Sequence, residues 1–403
     1  MVTPRDVVPL ARADLLRAVR DTLRGDDLPA VRDALRDDLR RVTGARHAFL
    51  FPDARTGIHA LLRSVARRRP GGEVLLPDYN FFAVPAMVRR AGLRPVFVDV
   101  RGPHGEMDPS AAAAALTPRT ALVLLGHFFG RPNDLPRWRA FADAHGLALL
   151  EDAAHAFGAH TQGRAVGRWG LGGAFSLSLT KGLTGVMGGA VVTDDDDAAA
   201  WLRSHERASP TPPRAEVLRA LLSALGGTAM FGDTLYPLVL QRVQRVTRGD
   251  FYESLMREKP LPLDPPAVPT YAALPSACAA LARAHLPRAL ADIDRQRDCA
   301  RAVIDAGPWR RFTAPTWDDD RHATFVNLVL RADDPAGLRR ALLRAGFDTR
   351  ADYLTSSTGD AARYPESVRL ARSGVYLPVR ALRDDAARAR MLDALRRYDA
   401  RAD

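Results

Sequence analysis

Between residues 47 and 195 short apolar runs recur with helical stretches between them, and that rhythm restricts the fold more than any other feature. The runs are EVLLP (73–77), RPVFVDV (94–100), TALVLLGHF (120–128), LALLED (147–152), GAFSLSL (173–179) and GAVVTD (189–194). Each ends in polar residues, glycine or proline, and Ala/Arg-rich segments such as VPAMVRRAG and LPRWRAFADAHG separate several of them. Strands alternating with helices predict an α/β fold, a mostly parallel sheet with helices on its faces. In such sheets the ligand sits at the carboxyl ends of the strands.

With 403 residues the chain is too long for one small core and suits a large domain and a smaller one. ASPTPP (208–213) breaks the rhythm, and a long apolar-plus-arginine stretch, 214–248, follows. After the Pro-rich linker PLPLDPPAVP (260–269), the remainder reads as a helix from about 274 to 305, a strand at 323–332, a helix, a short strand at VYLPV and a terminal helix. That order predicts a large domain over 1–270 and a smaller α+β domain over 271–403. Within 214–248, Val217, Leu218, Leu221, Leu222 and Leu225 follow helical spacing, which normally means core or dimer interface. The competing reading is an amphipathic surface for a membrane or a carrier protein, supported by Arg242, Arg245 and Arg248. The first is favoured.

A net charge of +11 invites a nucleic-acid reading. Yet the arginines are spread along the chain beside aspartates, as in RDALRDDLRR, the pattern of solvated helix faces. Nucleic acid is therefore not the expected partner, while attraction of an anionic small substrate is compatible with the charge. Two cysteines make neither a disulfide framework nor a metal cluster. With no apolar signal region and no run of eighteen apolar residues, the expectation is a cytoplasmic protein.

Of 58 basic side chains only two are lysine, Lys181 and Lys259. Arginine replaces lysine on a surface, but its guanidinium stays protonated and cannot form an imine. Lys259, in REKPLPLDPP, reads as a linker charge. Lys181 lies in a turn after the FSLSLT strand, and Asp152 closes another strand twenty-nine residues earlier. A pyridoxal-phosphate site needs a lysine to hold the aldehyde and a carboxylate to keep the pyridine nitrogen protonated. It also needs hydroxyls and N–H groups for the phosphate, and a flat group against the ring. Singly, a strand-end Asp is usually a cap, His155 a packing histidine, and Ser176 a strand residue. In this order and context they point together to that cofactor.

The blocks RHAFLFPDARTGIHALL, GGEVLLPDYNFFAV, GLRPVFVDV, EDAAHAFGA and FSLSLTK, with YPESVRLARSGVYLPV near the end, resemble the DegT/DnrJ/EryC1/StrS aminotransferases. These are fold-type-I pyridoxal-phosphate enzymes that mostly make amino sugars on nucleotide carriers. The resemblance implies that Lys181 bonds the cofactor and shuttles the proton, and that Asp152 pairs with the pyridinium nitrogen. It places Phe81 on the ring face, His155 near the 3-hydroxyl, Ser176 on the phosphate, and Arg55 and Thr56 at the phosphate-cradling start of a helix. It further implies glutamate or glutamine as amino donor, a keto-sugar nucleotide or related ketone as acceptor, no metal, and a homodimer. Tyr271 and Ala273 stand where many members carry the Asn and Arg of a loop that completes the partner's site. Relatives that dehydrate or deoxygenate keto-sugars typically carry His in place of the lysine, so Lys181 favours transamination. A non-catalytic scaffold would have lost the Asp152–Lys181 pair.

Overall fold

Two helices, α1 (Arg12–Arg24) and α2 (Pro29–Thr43), lead into β1 (His47–Phe51) and α3 (Ala54–Arg68). Then follow β2 (Glu73–Pro77), β3 (Tyr79–Asn80), α4 (Ala83–Arg90), β4 (Arg94–Val98), β5 (Thr120–Gly126) and α5 (Leu135–Ala144). β6 (Ala148–Asp152), β7 (Gly172–Ser176), β8 (Gly189–Thr193), α6 (Asp196–Arg207) and α7 (Arg214–Met230) complete this part. The computed structural model describes residues 3–4, 7–207, 210, 212–230, 236, 272–318, 320–351, 353–382 and 384–400.

Seven strands form one sheet in the order β1-β8-β7-β6-β5-β2-β4. Neighbours from β7 to β4 are parallel, while β8 runs antiparallel to both β7 and β1. Strands covered on both faces carry near-continuous apolar runs. Here Leu75, Val123, Leu125 and Leu149 face one core, and Val74, Leu76, Leu122, Leu124 and Leu150 the other, all fully buried. Each such side chain contributes about 1.5–3 kcal/mol.

Two glycines bring α3 close to the sheet. A Cβ on Gly57 would lie 2.6 Å from the Val191 side chain, and one on Gly189 would lie 2.3 Å from the backbone of Asp53. Gly189 pairs with Ser176, so the start of α3 is pinned beside the carboxyl end of β7.

The C-terminal part adds α8 (Ser276–Asp305), β9 (Phe312–Thr313), β10 (Leu328–Ala332), α9 (Pro335–Arg344), β11 (Thr355–Ser356), α10 (Pro365–Ser373), β12 (Gly374–Leu377) and α11 (Asp385–Asp399). β9, β10 and β12 make an antiparallel sheet with its own core, including Leu338, Leu342 and Leu395. α8 spans both cores: Leu281 and Leu286 join the first, Cys299 and Val303 the second. The strand expected over 323–332 begins only at Leu328. Phe325 takes φ +46°, and the Thr324 N–H donates to the Gly130 carbonyl (2.8 Å) instead of a ladder partner. Cys278 and Cys299 are buried and unbridged, their thiols pushed up to about 12 and about 11 by burial, so neither is a nucleophile at neutral pH.

In α7, Val217, Leu221 and Ala224 are buried in the first core, the packing expected of that spacing, while Leu222 stays exposed. The rest of 214–248 apart from Tyr236, including Arg242, Arg245 and Arg248, lies outside the described residues, as do the linker 260–269 and Tyr271. Among the described residues no helix is long and apolar enough to cross a membrane.

Candidate active site

The carboxyl ends of β5, β6 and β7 open onto a cavity of about 360 Å³, within the usual size of ligand pockets, roughly 300–1,000 Å³. Asp152 is the last residue of β6 and Ser176 the last of β7. After Ser176 the chain leaves the sheet and turns, the Lys181 N–H donating to the Ser178 carbonyl (3.0 Å), which swings the lysine back over the strand ends. Phe81 enters from the far side, just after β3. Lys181, Asp152, His155, Phe81, Ser176 and Arg55 thus all line one cavity, although Arg55 and Lys181 lie 126 positions apart in the chain.

Thr56 does not reach it. It is 2% exposed, and both its N–H (2.8 Å) and its hydroxyl (3.0 Å) donate to the Asp53 carboxylate, the N-cap of α3. An acidic cap satisfies first-turn N–H groups and meets the positive end of the helix. It also sets a carboxylate where the sequence suggested a phosphate. Arg55 answers that charge from the same turn, its guanidinium 3.1 Å from the other Asp53 oxygen. Ser176 and Ser178 hydroxyls lie 3.0 Å apart beside this turn.

At the other end the groups are desolvated. Burial raises the Asp152 carboxyl above its usual range, against the opposing pull of the Ala154 N–H (3.1 Å) and the charge of Lys181. A buried carboxylate of this kind gains from a cationic partner. His155 is held well below the usual imidazole range, by burial first and then by Lys181 and Arg350, so it is neutral. Its Nδ1 accepts the Phe129 N–H (3.3 Å), which leaves the proton on Nε2, directed into the cavity. The turn that supplies this N–H is strained: Phe129 takes φ +59°, a conformation costing about 1–3 kcal/mol in a bulky residue.

Sequence reasoning missed four contributors. His127 follows β5, accepts the Asn133 N–H at Nδ1 (3.1 Å) and donates from Nε2 to buried Glu151 (3.0 Å), directly behind Asp152. Asp53 was readable as a cap from the D-x-x-T spacing. Phe129 carries no local signal, because backbone strain does not show in residue type. Tyr353 lies 172 residues from Lys181, whose amine donates to its hydroxyl.

The donor set fits pyridoxal phosphate. A flat wall, a buried carboxylate, a fixed N–H donor, a lysine amine and a hydroxyl-and-arginine end answer the ring face, ring nitrogen, phenolic oxygen, aldehyde and phosphate in turn.

Residues 11–218 match the model of the DegT/DnrJ/EryC1/StrS aminotransferase family. Among solved structures the chain is similar to DesV of S. venezuelae, at 24% identity over 97% of this chain and 96% of that one, with a TM-score of 0.75. DesI, whose structure was determined in the presence of its TDP-sugar product, is 26% identical over 98% and 93%, with a TM-score of 0.70. The sugar aminotransferase CalS13 of Micromonospora echinospora is 22% identical over 98% and 100%, with a TM-score of 0.75.

Proposed function

The chain belongs to the DegT/DnrJ/EryC1/StrS aminotransferase family and is a pyridoxal-phosphate-dependent aminotransferase, and from that premise we propose that it aminates the keto group of a nucleotide-linked sugar. The amino donor in this reading is glutamate or glutamine. The observation that carries it is the meeting of Lys181, Asp152 and His155 in one buried cavity, and the likeness to DesI, a protein with a TDP-sugar product, supports the acceptor.

When bound, the cofactor supplies an electron sink for the charge left on the substrate carbon. Lys181 holds it and carries the proton to and from that carbon. Asp152 would keep the ring nitrogen protonated, and His155 would offer its Nε2–H to the ring oxygen. Phe81 covers one face and excludes water. Ser176 and Arg55 take the phosphate, with Thr56 acting one step behind them through Asp53. The division into a large domain over 1–270 and a smaller one over 271–403 belongs to the same reading, as does a homodimer.

The test separates donor from acceptor. With pyridoxal phosphate and glutamate or glutamine, the protein is expected to release the matching oxoacid in one stoichiometric turnover. Adding a TDP-keto-sugar should then make turnover continuous. Oxoacid release without sugar turnover would overturn the acceptor; no release from either donor would overturn the donor assignment.

A further inference from the structure

The amine of Lys181 is not loose in the cavity. Its Nζ lies 2.7 Å from His155 Nε2 and donates to the Tyr353 hydroxyl, with the nitrogen 4.8 Å from the Tyr353 ring centroid. The Tyr353 ring stands nearly parallel to Phe81, at 18° and 5.9 Å between centroids, and 5.1 Å from His155. We propose that Tyr353 is a catalytic residue, whose phenol holds the amine of Lys181 whenever the lysine is not bonded to the cofactor. This rests on the aminotransferase reading above.

Two backbone ties fix where Tyr353 can be. Before it, Arg350 and Tyr376 exchange both N–H···O bonds, at 3.4 and 2.9 Å. After it, β11 pairs with β3, Thr355 opposite Asn80 and Ser356 opposite Tyr79, the residues that lead into Phe81. Asp78 reinforces that ladder by accepting the Thr358 N–H (2.9 Å) and the Ser356 hydroxyl. A ring clamped on both sides offers its oxygen at a set point, whereas a free lysine side chain carries about 2 kcal/mol of rotamer entropy.

The chemistry needs such a hold. In the transfer the donor's Cα–H bond breaks, its electron pair stays with the carbon, and its proton passes to the Nζ lone pair of Lys181. The phenol neither gives nor takes a proton. By accepting one N–H it keeps the amine at the strand ends with its lone pair turned toward the cavity.

Tyr353→Phe removes the oxygen and keeps the ring against Phe81. In the protein loaded with pyridoxamine phosphate the lysine amine is free, and competitive acetylation can be read by mass spectrometry with Lys259 as internal reference. The variant is expected to raise the Lys181-to-Lys259 labelling ratio roughly threefold to tenfold, the effect of one hydrogen bond. Its half-reaction with the amino donor should lose a similar factor in kcat with KM unchanged. An unchanged labelling ratio overturns the proposal, and so does a rise in KM alone, which would make Tyr353 only a wall. If the wild type cannot be trapped on Lys181 by borohydride in the presence of pyridoxal phosphate, the site assignment itself fails and takes this proposal with it. If it is trapped normally, a negative result for Tyr353→Phe counts against Tyr353 alone.

Discussion

At the strand end of the cavity Asp152 and Lys181 are 8% and 7% exposed; at the helix end the side chains of Asp53 and Arg55 are 37% and 39% exposed. The strand end is held by burial and single-purpose hydrogen bonds, so its groups cannot find water as an alternative partner. The helix end is held by an exposed ion pair worth at most about 1 kcal/mol, which a stronger anion can displace. The difference separates two tasks. In the proposed reading, chemistry takes place where geometry is rigid and charge is desolvated, and anchoring where charges remain free to exchange partners.

The largest effect should follow from the strand end. Asp152→Asn keeps size and leaves the cofactor anchored, yet activity should fall at least about a thousandfold, because ring protonation is lost where electrostatic preorganisation matters most. A loss below tenfold would show that the two ends do not differ in the way described. At the helix end, opposite substitutions should act in opposite directions. Arg55→Ala should weaken pyridoxal-phosphate binding roughly tenfold to a hundredfold, the range of charged hydrogen bonds. Asp53→Asn retains a good cap but removes the competing charge, and should tighten it several-fold. Equilibrium binding of the cofactor checks both; weaker binding in Asp53→Asn would contradict the exchange of partners.

Acidification should act through the histidines held neutral in the fold, His155 at the strand end among them. The His155 imidazole is depressed in the folded protein, so its contribution to stability is present above the unfolded value of about 6.5 and lost as pH falls below it. His285, lowered to about 3, and His59 and His322, lowered to about 4, act with the same sign. The melting temperature should therefore drop between about pH 7 and pH 5, and a flat profile would argue against neutral buried histidines. The smallest effect is expected from Thr56→Ala, which removes a hydroxyl bonded to the Asp53 cap. It should cost about 1 kcal/mol of stability, with cofactor affinity changed less than about twofold. A large loss of affinity would return Thr56 to the phosphate.

The strand end was legible from sequence because its chemistry coincides with local pattern. Asp152 sits at the end of an apolar run, Lys181 stands out in a chain that otherwise uses arginine almost throughout, and Ser176, inside the run GAFSLSL, was indicated by the resemblance. The helix end was only half legible: the resemblance pointed to the turn at residues 55 and 56, but competition between a cap and a ligand for the same N–H groups depends on where the Asp53 side chain turns. The parallel sheet was readable, whereas the reversal of β8 was not, since apolar periodicity carries no strand direction. Tyr353 could not be found at all, because only the pairing of β11 with β3 brings it to the lysine.

The central claim is that Lys181 carries the cofactor, and the composition makes it directly testable because the chain has only one other lysine. The protein should be loaded with pyridoxal phosphate, reduced with borohydride and mapped by peptide mass spectrometry. The account predicts one pyridoxyl group per chain, on the peptide containing Lys181, and none in Lys181→Ala. A label on Lys259, or an undiminished label in Lys181→Ala, would contradict it.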